Sequence, residues 1–361
     1  MSDGIGRRLT VSLYGGSHEE VVGVLAEGFP AGFPVDEEAL RRFLARRAPG
    51  RSPLTTPRKE EDIPEFLSGL QDGYTTGEPL RAVIRNRNTR SGDYDAFADL
   101  PRPSHADWAA RIKYGEGVDL RGGGRFSGRL TAPLCVAGGI ALQMLSARGI
   151  TVGAHLAAVG GVSDRPFDPV ALTPEDLTRP GQKPLPVNDD GAGEAMAAAV
   201  QAAAAEGDSV GGVVECAVLG LPVGLGGPLF DGMESRLSAL LFGIPAVKGV
   251  EFGDGFAAAA LRGHEHNDPY CFKDGRVATA ENHAGGILGG LTTGMPLILR
   301  AAFKPTPSIA RPQTTLRLST KEPDTLIITG RHDPCVAIRA VPCVEAAVAL
   351  GILDALLEET P

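Results

Sequence analysis

The chain has 361 residues, 43% of them apolar and only 5% aromatic, with a net charge of −9. That size and composition support a large core of Ala, Val, Leu and Ile; the 48 glycines and 28 prolines are dispersed, which argues for many tight turns and against a disordered tract. An acidic balance argues against a general nucleic-acid binder, and five cysteines without CxxC spacing suit free thiols in a reducing compartment.

The N-terminal segment has no signal-like apolar run, and no apolar stretch reads as long enough to span a bilayer, so a cytoplasmic protein without a membrane partner is expected. Residues 9–13 are apolar and β-like and lead into Gly15-Gly16-Ser17-His18. Residues 36–47 read as a helix, with Asp36 as N-cap, Glu37 and Glu38 in the first turn, and Leu40, Phe43 and Leu44 on one face; Pro49-Gly50 stops it. From Arg41 to Lys59 there are six arginines, one lysine and no acid, a basic island that predicts a local anion site with Arg47 as an exposed member.

Residues 80–85 alternate as a strand, and 130–148 predict a buried helix. Residues 150–162 read as a strand entering a turn, and the Pro- and Asp-rich 164–191 as a linker or excursion. A helix is expected over 192–207, stopped by Gly207, then a strand within 211–224 and a helix over 233–243. Residues 294–305 and 325–330 are strand-like, and 342–359 close the chain as a helix. Hairpin-like strands and paired helices, in place of βαβ alternation, predict an α+β fold. "GGGRFSGR…AGGI" is echoed by "NHAGGILGG", an expectation of internal duplication.

Several turns carry chemistry-bearing side chains. "RPSHAD" groups Arg102, His105 and Asp107, and "GRHDPC" groups Arg331, His332 and Asp333. His155, on an apolar strand, reads as structural. "RGGGRFSGR" offers amide donors, Arg125 and Ser127 ahead of a helix, a recipe for holding phosphate; it is neither GxGxxG nor a P-loop. "KPTPSI" supplies Lys304, Thr306 and Ser308, and the glycines of "NHAGGILGG" admit a flat ligand. The histidine spacings do not make a zinc site. These features predict a phosphorylated substrate beside a phosphorylated cofactor.

In this order the motifs resemble the chorismate synthase family along nearly the whole chain: the Ser17-His18 turn, "RRAPG", "TTG", "RPSHAD", "KYG", "RGGGRFSGR", "EGDSVGG", "GLGGPLFD", "AVKGVEFGDGF", "NHAGGILGG", "KPTPSI" and "GRHDPCVAIRAVP". The resemblance implies one domain over 1–361, a layered β-α-α-β sandwich and a homotetramer. It implies an anti 1,4-elimination of phosphate from 5-enolpyruvylshikimate 3-phosphate to chorismate with reduced FMN, whose source of electrons (own NADPH use or an external reductant) stays open. It assigns His18 as the acid assisting the departing phosphate, with Ser17 beside it, and His105 as the proton donor to reduced flavin. Asp333 and Ser127 fall in the relay that removes the substrate proton. FMN would lie against Arg125, Phe126, Ser127, Ala246, Gly289, Lys304, Pro305, Thr306, Pro307, Ser308 and Arg331, and substrate against Arg47, Arg102, Arg129 and Arg331.

The chain departs from the family pattern at Gly16, Glu19, Pro53, Ser104, Phe126 and Pro245. Glu19, where the pattern has glycine, would either repel the substrate phosphate or keep His18 protonated. A paralogue that binds FMN or a phosphorylated ligand without turnover is the alternative, as is a related elimination on another phosphorylated acid.

Overall fold

The computed structural model describes residues 4–359 except 51, 53, 57–59, 88–96, 98, 116, 274, 329 and 331. Two five-stranded antiparallel sheets carry the fold. The first comprises Gly4–Ile5 (β1), Thr10–Gly15 (β2), Val21–Glu27 (β3), Glu65–Ser68 (β4) and Leu80–Arg85 (β5), in the order β1-β2-β3-β5-β4. The second comprises Thr151–Val159 (β6), Val162–Ser163 (β7), Gly212–Leu219 (β8), Val247–Phe252 (β9) and Leu297–Phe303 (β10), in the order β9-β10-β8-β6-β7.

The main helices are Glu37–Arg47 (α1), Asp107–Tyr114 (α2), Thr131–Ser146 (α3), Asp190–Ala205 (α4), Met233–Phe242 (α5) and Ala337–Glu359 (α6). α1 starts as its sequence dictates: the Asp36 carboxylate accepts the Ala39 amide at 2.8 Å. α3 packs on β3 and β5 on one side and on α6 on the other, while α6 packs in turn on β6 and β8. Helices covered on several sides need no polar face, so α3 and α6 are buried around almost their whole circumference. Small residues set the spacing: a Cβ on Gly138 would lie 2.5 Å from the Cα of Ala346.

One continuous apolar core therefore runs from Leu9 to Ala355. Polar ties cross it. Glu345 on α6 pairs with Arg46 on α1 and accepts the Ala154 amide of β6 at 3.0 Å. Asp354, also on α6, accepts the amides of Arg7, Arg8 and Leu9.

Four expectations change. The closing helix begins at Ala337, not 342, and carries Pro342 inside it; a proline in the second turn costs only one ladder bond while packing covers the rest. Residues 164–191 are not a linker: Asp164, Phe167 and Leu177 are buried, and Pro186 accepts the Leu156 amide of β6 at 2.8 Å. Of the described residues in 325–330, only Thr325 and Leu326 lie in a strand, Glu322–Leu326 paired with Gln313–Arg317. Finally, Gly128–Ser146 and α6 are long and apolar enough to cross a membrane by length and composition, but 83% and 89% of their apolar windows are buried inside the protein. Their hydrophobicity is used by the core.

Candidate functional site

Loops from both sheets and the end of α1 enclose a cavity of about 490 Å³. His18, His105, Ser127 and Asp333, which lie far apart in sequence, all line it. Among the described residues, five cations (Arg47, Arg102, Arg129, Lys304 and Arg339) face it against three carboxylates (Glu60, Asp107 and Asp333). An acidic protein thus presents a locally cationic cavity.

His18 is positioned by the glycine run. Gly122, Gly123 and Gly124 all have positive φ, and a Cβ on Gly122 would meet the His18 ring at 2.4 Å. Only glycine permits that approach. The Ser17 amide donates to Gly124 O at 3.2 Å and the Ser17 hydroxyl to Arg121 O at 2.9 Å. With its proton so directed, the Ser17 oxygen accepts from His18 Nδ1 at 3.3 Å, which assigns the proton of that ring nitrogen. The Ser17-His18 turn is itself held by Asn86, whose amide group donates to Gly16 O and Glu19 O.

His105 lines the same cavity. Its Nδ1 donates to Pro103 O at 3.0 Å, and Nε2 lies 2.9 Å from the Ser308 hydroxyl. Burial, followed by the charge of Arg102 with a smaller contribution from Lys304, pushes its pKa down to about 4. Neutral His105 with its proton on Nδ1 accepts at Nε2 from Ser308; it can donate there only after taking a second proton. Lys304 bridges two strained positions: its amide donates to Ala246 O and its ammonium to Ser104 O, and both Ala246 and Ser104 have positive φ. Burial lowers its pKa, helped by Lys248.

The arginines are braced by carboxylates. Arg102 makes a bidentate pair with Asp107 at 2.7 Å, at the start of α2. Buried Asp62 sits between Arg47 and Arg129: it lies 2.9 Å from Arg47 Nε, outside hydrogen-bond alignment, and accepts from Arg129 Nη1. Burial would raise its pKa, but Arg47 and then Arg129 hold it below the usual carboxylate range. Asp333 accepts the Thr56 amide at 2.9 Å and pairs with Arg339 at 2.7 Å.

The sequence reading is corrected at several positions. Arg47 is 2% exposed and ion-paired, not a surface arginine. The other described cations of its basic island are spent elsewhere: Arg41 and Arg42 pair along α1 with Glu37 and Glu38, and Arg46 with Glu345. Phe126, Ala246, Thr306, Pro307 and Ser308 line the cavity with Ser127 and Lys304, whereas Arg125, Gly289 and Pro305 do not. Gly289 is at the tip of a short hairpin, Ile287–Leu288 with Leu291–Thr292, that packs against Gly227 and Met233. Arg125 stacks over Tyr114. Ser104 and Pro245, two departures from the family pattern, line the cavity; Arg331 and Pro53 lie outside the described residues.

Sequence reasoning missed Asp62 and Asn86, which act through other residues and carry no motif of their own, and gave no role to Arg339, which lies within "GRHDPCVAIRAVP" and lines the cavity. It grouped His332 with Asp333 but gave it no role; its ring lines the cavity with Nε2 buried and, like Thr306 Oγ1, without a hydrogen-bond partner among the described residues. Burial first, then Arg102, depress the His332 pKa.

Residues 9–357 match the family model described as chorismate synthase. The chain is 46% identical to the chorismate synthase of Lancefieldella parvula over 99% of this chain and 96% of that one. It is 48% identical to that of Thermococcus kodakarensis over 98% and 97%. A crystal structure of chorismate synthase superposes with a TM-score of 0.76 at 28% identity, covering 98% of this chain and 93% of the other.

Proposed function

The chain belongs to the chorismate synthase family, and we infer that its cavity eliminates phosphate from 5-enolpyruvylshikimate 3-phosphate to give chorismate, the lyase step of aromatic amino-acid biosynthesis. The observation that carries this is the convergence on one cavity of His18, His105, Ser127 and Asp333 with Arg47, Arg102 and Arg129. A highly anionic substrate needs several cations in a partly desolvated place, and forked guanidiniums suit both phosphate and carboxylate.

The cofactor is FMN in its reduced form, and the cavity suits it. Buried Thr306 Oγ1 and His332 Nε2 lack partners among the described residues, and a heteroatom-rich ring would supply them. Phe126, Ser127, Ala246, Lys304, Thr306, Pro307 and Ser308 would hold it; Gly289, Arg125 and Pro305 are not among the lining residues. When bound, reduced flavin supplies electron density that favours loss of the allylic phosphate and a base for the C6 proton.

The chain's own residues do the rest. Arg47, Arg102 and Arg129 orient the substrate anions, each held in place by a carboxylate. His18, its Nδ1–H committed to Ser17, exchanges its proton with the leaving phosphate through Nε2. His105 enters neutral and takes a proton as anionic charge arrives, which turns Nε2 into a donor. Asp333, fixed by Thr56 and Arg339, accepts the proton that leaves the site, with Ser127 as its neighbour in the relay. The net change breaks the C6–H and C3–O bonds and forms one C=C bond.

Two sheets, each backed by a long apolar helix, support a single-domain β-α-α-β sandwich with internal duplication. Leu229, Phe230 and Phe256 are more than 80% exposed, an apolar surface that suits burial in a homotetramer. The acidic chain and its inward-facing apolar helices support a cytoplasmic protein that binds neither nucleic acid nor membrane. Anaerobic turnover of 5-enolpyruvylshikimate 3-phosphate with dithionite-reduced FMN, followed by chorismate absorbance, tests the reading. FMN binding without chorismate formation would favour the non-catalytic paralogue.

A further inference from the structure

The tight contact of α3 and α6 at Gly138 and Ala346 places two thiols near each other. Three residues before Gly138 and three before Ala346, about one helical turn back on each helix, stand Cys135 and Cys343 with their sulfurs 3.9 Å apart. Both are at least 98% buried, but Cys343 lines the cavity whereas Cys135 lies behind it. The Cys343 thiol donates to Arg339 O at 3.4 Å, and Arg47 and Thr131 adjoin it. Cys216 and Cys335 are buried and do not line the cavity, and Cys271 lies on the separate hairpin Tyr270–Lys273 with Arg276–Thr279.

We propose that Cys343 and Cys135 are a peroxide-oxidisable dithiol in the cavity floor, closing to a disulfide that joins α3 to α6. The oxidant is hydrogen peroxide, a molecule small enough to reach the floor through the cavity. The Cys343 thiolate attacks one peroxide oxygen and breaks the O–O bond, forming a sulfenic acid and releasing water after proton transfer. The Cys135 thiolate then attacks the Cys343 sulfur and displaces hydroxide, which leaves as a second water. In sum, two thiols and one peroxide become one disulfide and two waters.

The surroundings favour Cys343 as the first sulfur to react. Its contact with Cys135, together with Arg47, Thr131 and Arg339, outweighs burial and lowers its pKa, while burial raises that of Cys135. Bond formation needs the sulfurs to close to about 2 Å. That draws Cys343 away from Arg339 O and fixes the helix crossing beneath Arg47, so the oxidised protein should bind its anionic substrate more weakly.

Peptide mapping of the full chain after hydrogen peroxide treatment tests this without flavin or substrate, so its outcome is separate from that of the turnover assay. A Cys135–Cys343 linked peptide, reversed by dithiothreitol and formed about tenfold faster than Cys216 or Cys335 is lost, is the expected result. In Cys135→Ala the link should vanish and dimedone should capture Cys343 as sulfenic acid. Oxidation confined to Cys271, with Cys343 still alkylatable after denaturation, would overturn the proposal. So would a Cys135→Ala protein in which Cys343 resists peroxide. The wild-type map stands alone if that variant does not fold.

Discussion

Asn86 accepts Arg129 Nε at 2.9 Å through its side-chain oxygen, while its nitrogen donates to Gly16 O at 3.0 Å and Glu19 O at 2.8 Å. One amide therefore ties the His18 turn to an arginine of the cavity. The partners also fix its orientation, since the oxygen must face the guanidinium and the nitrogen the carbonyls.

Asn86→Ala should lower kcat/KM by about 10- to 100-fold, the scale of a small displacement of a reacting group. Far-UV circular dichroism should stay native. Asn86→Asp keeps an acceptor for Arg129 but loses both donors, so it should not restore turnover. Near-wild-type kinetics in both variants would show that the turn holds itself.

Arg47 carries a stability prediction that its sequence context did not suggest. It is buried against Asp62, which also pairs with Arg129. Arg47→Ala leaves Asp62 under-compensated in the interior and should cost about 3 kcal/mol or more, as broken buried pairs do. Urea unfolding should show that loss, and kcat/KM should fall too. Stability unchanged by Arg47→Ala would mean that Asp62 relaxes onto Arg129 alone.

His155 gives a pH prediction remote from the cavity. Its Nδ1 pairs with Asp164 at 2.8 Å and its Nε2 with Glu215 at 2.9 Å, all three buried. Burial opposes its charge, but the Asp164 and Glu215 contacts raise its pKa above the usual 6.5. That stabilisation is fully present below 6.5 and is lost as pH rises through the raised folded value. Asp164 is held below its usual 3.8: burial works against this, and the His155 contact and backbone amides prevail. Its share is present above 3.8 and is lost as pH falls through the depressed value. The stability gap between wild type and His155→Gln should therefore be widest between about pH 4 and 6.5. A gap that grows toward pH 9 would show His155 to be neutral.

Legibility followed the physics of each element. α1 and α4 could be read because capping and periodicity are local properties, as with Asp36. The start of α6 could not: Pro342 looks like a boundary, and only packing on α3 and the second sheet carries the helix through it. At the site, His18, His105 and Asp333 announced themselves through glycine- and proline-rich turns. Asp62 did not, because a bracing charge is defined by partners distant in sequence, here Arg47 and Arg129. Arg47 was placed in the right region with the wrong burial, since a run of like charges says nothing about which member turns inward.

His18 and Glu19 support the last prediction. The Glu19 carboxylate curls back over Gly16, so that a Cβ at position 16 would lie 2.9 Å from Glu19 Oε1. Glu19 is exposed and does not line the cavity, which corrects the expectation that it faces the phosphate. The family pattern that the turn resembles has glutamate at the first position and glycine at the fourth. The exchange in this chain brings a carboxylate to the same corner from the other end. Glu19→Gly should then leave both limbs of the pH–rate profile in place, and the double exchange Gly16→Glu with Glu19→Gly should be active. A basic limb displaced to lower pH in Glu19→Gly would instead show that the carboxylate reaches His18. His18→Ala should reduce turnover by about 10²- to 10⁴-fold, the range of general acid catalysis. FMN affinity should be retained, because the His18 ring is held by Ser17 and the glycine run, whereas Ser308, one of the residues that would hold FMN, contacts His105. A His18→Ala protein that keeps full turnover would remove the acid from the mechanism and leave the turn with a structural role alone.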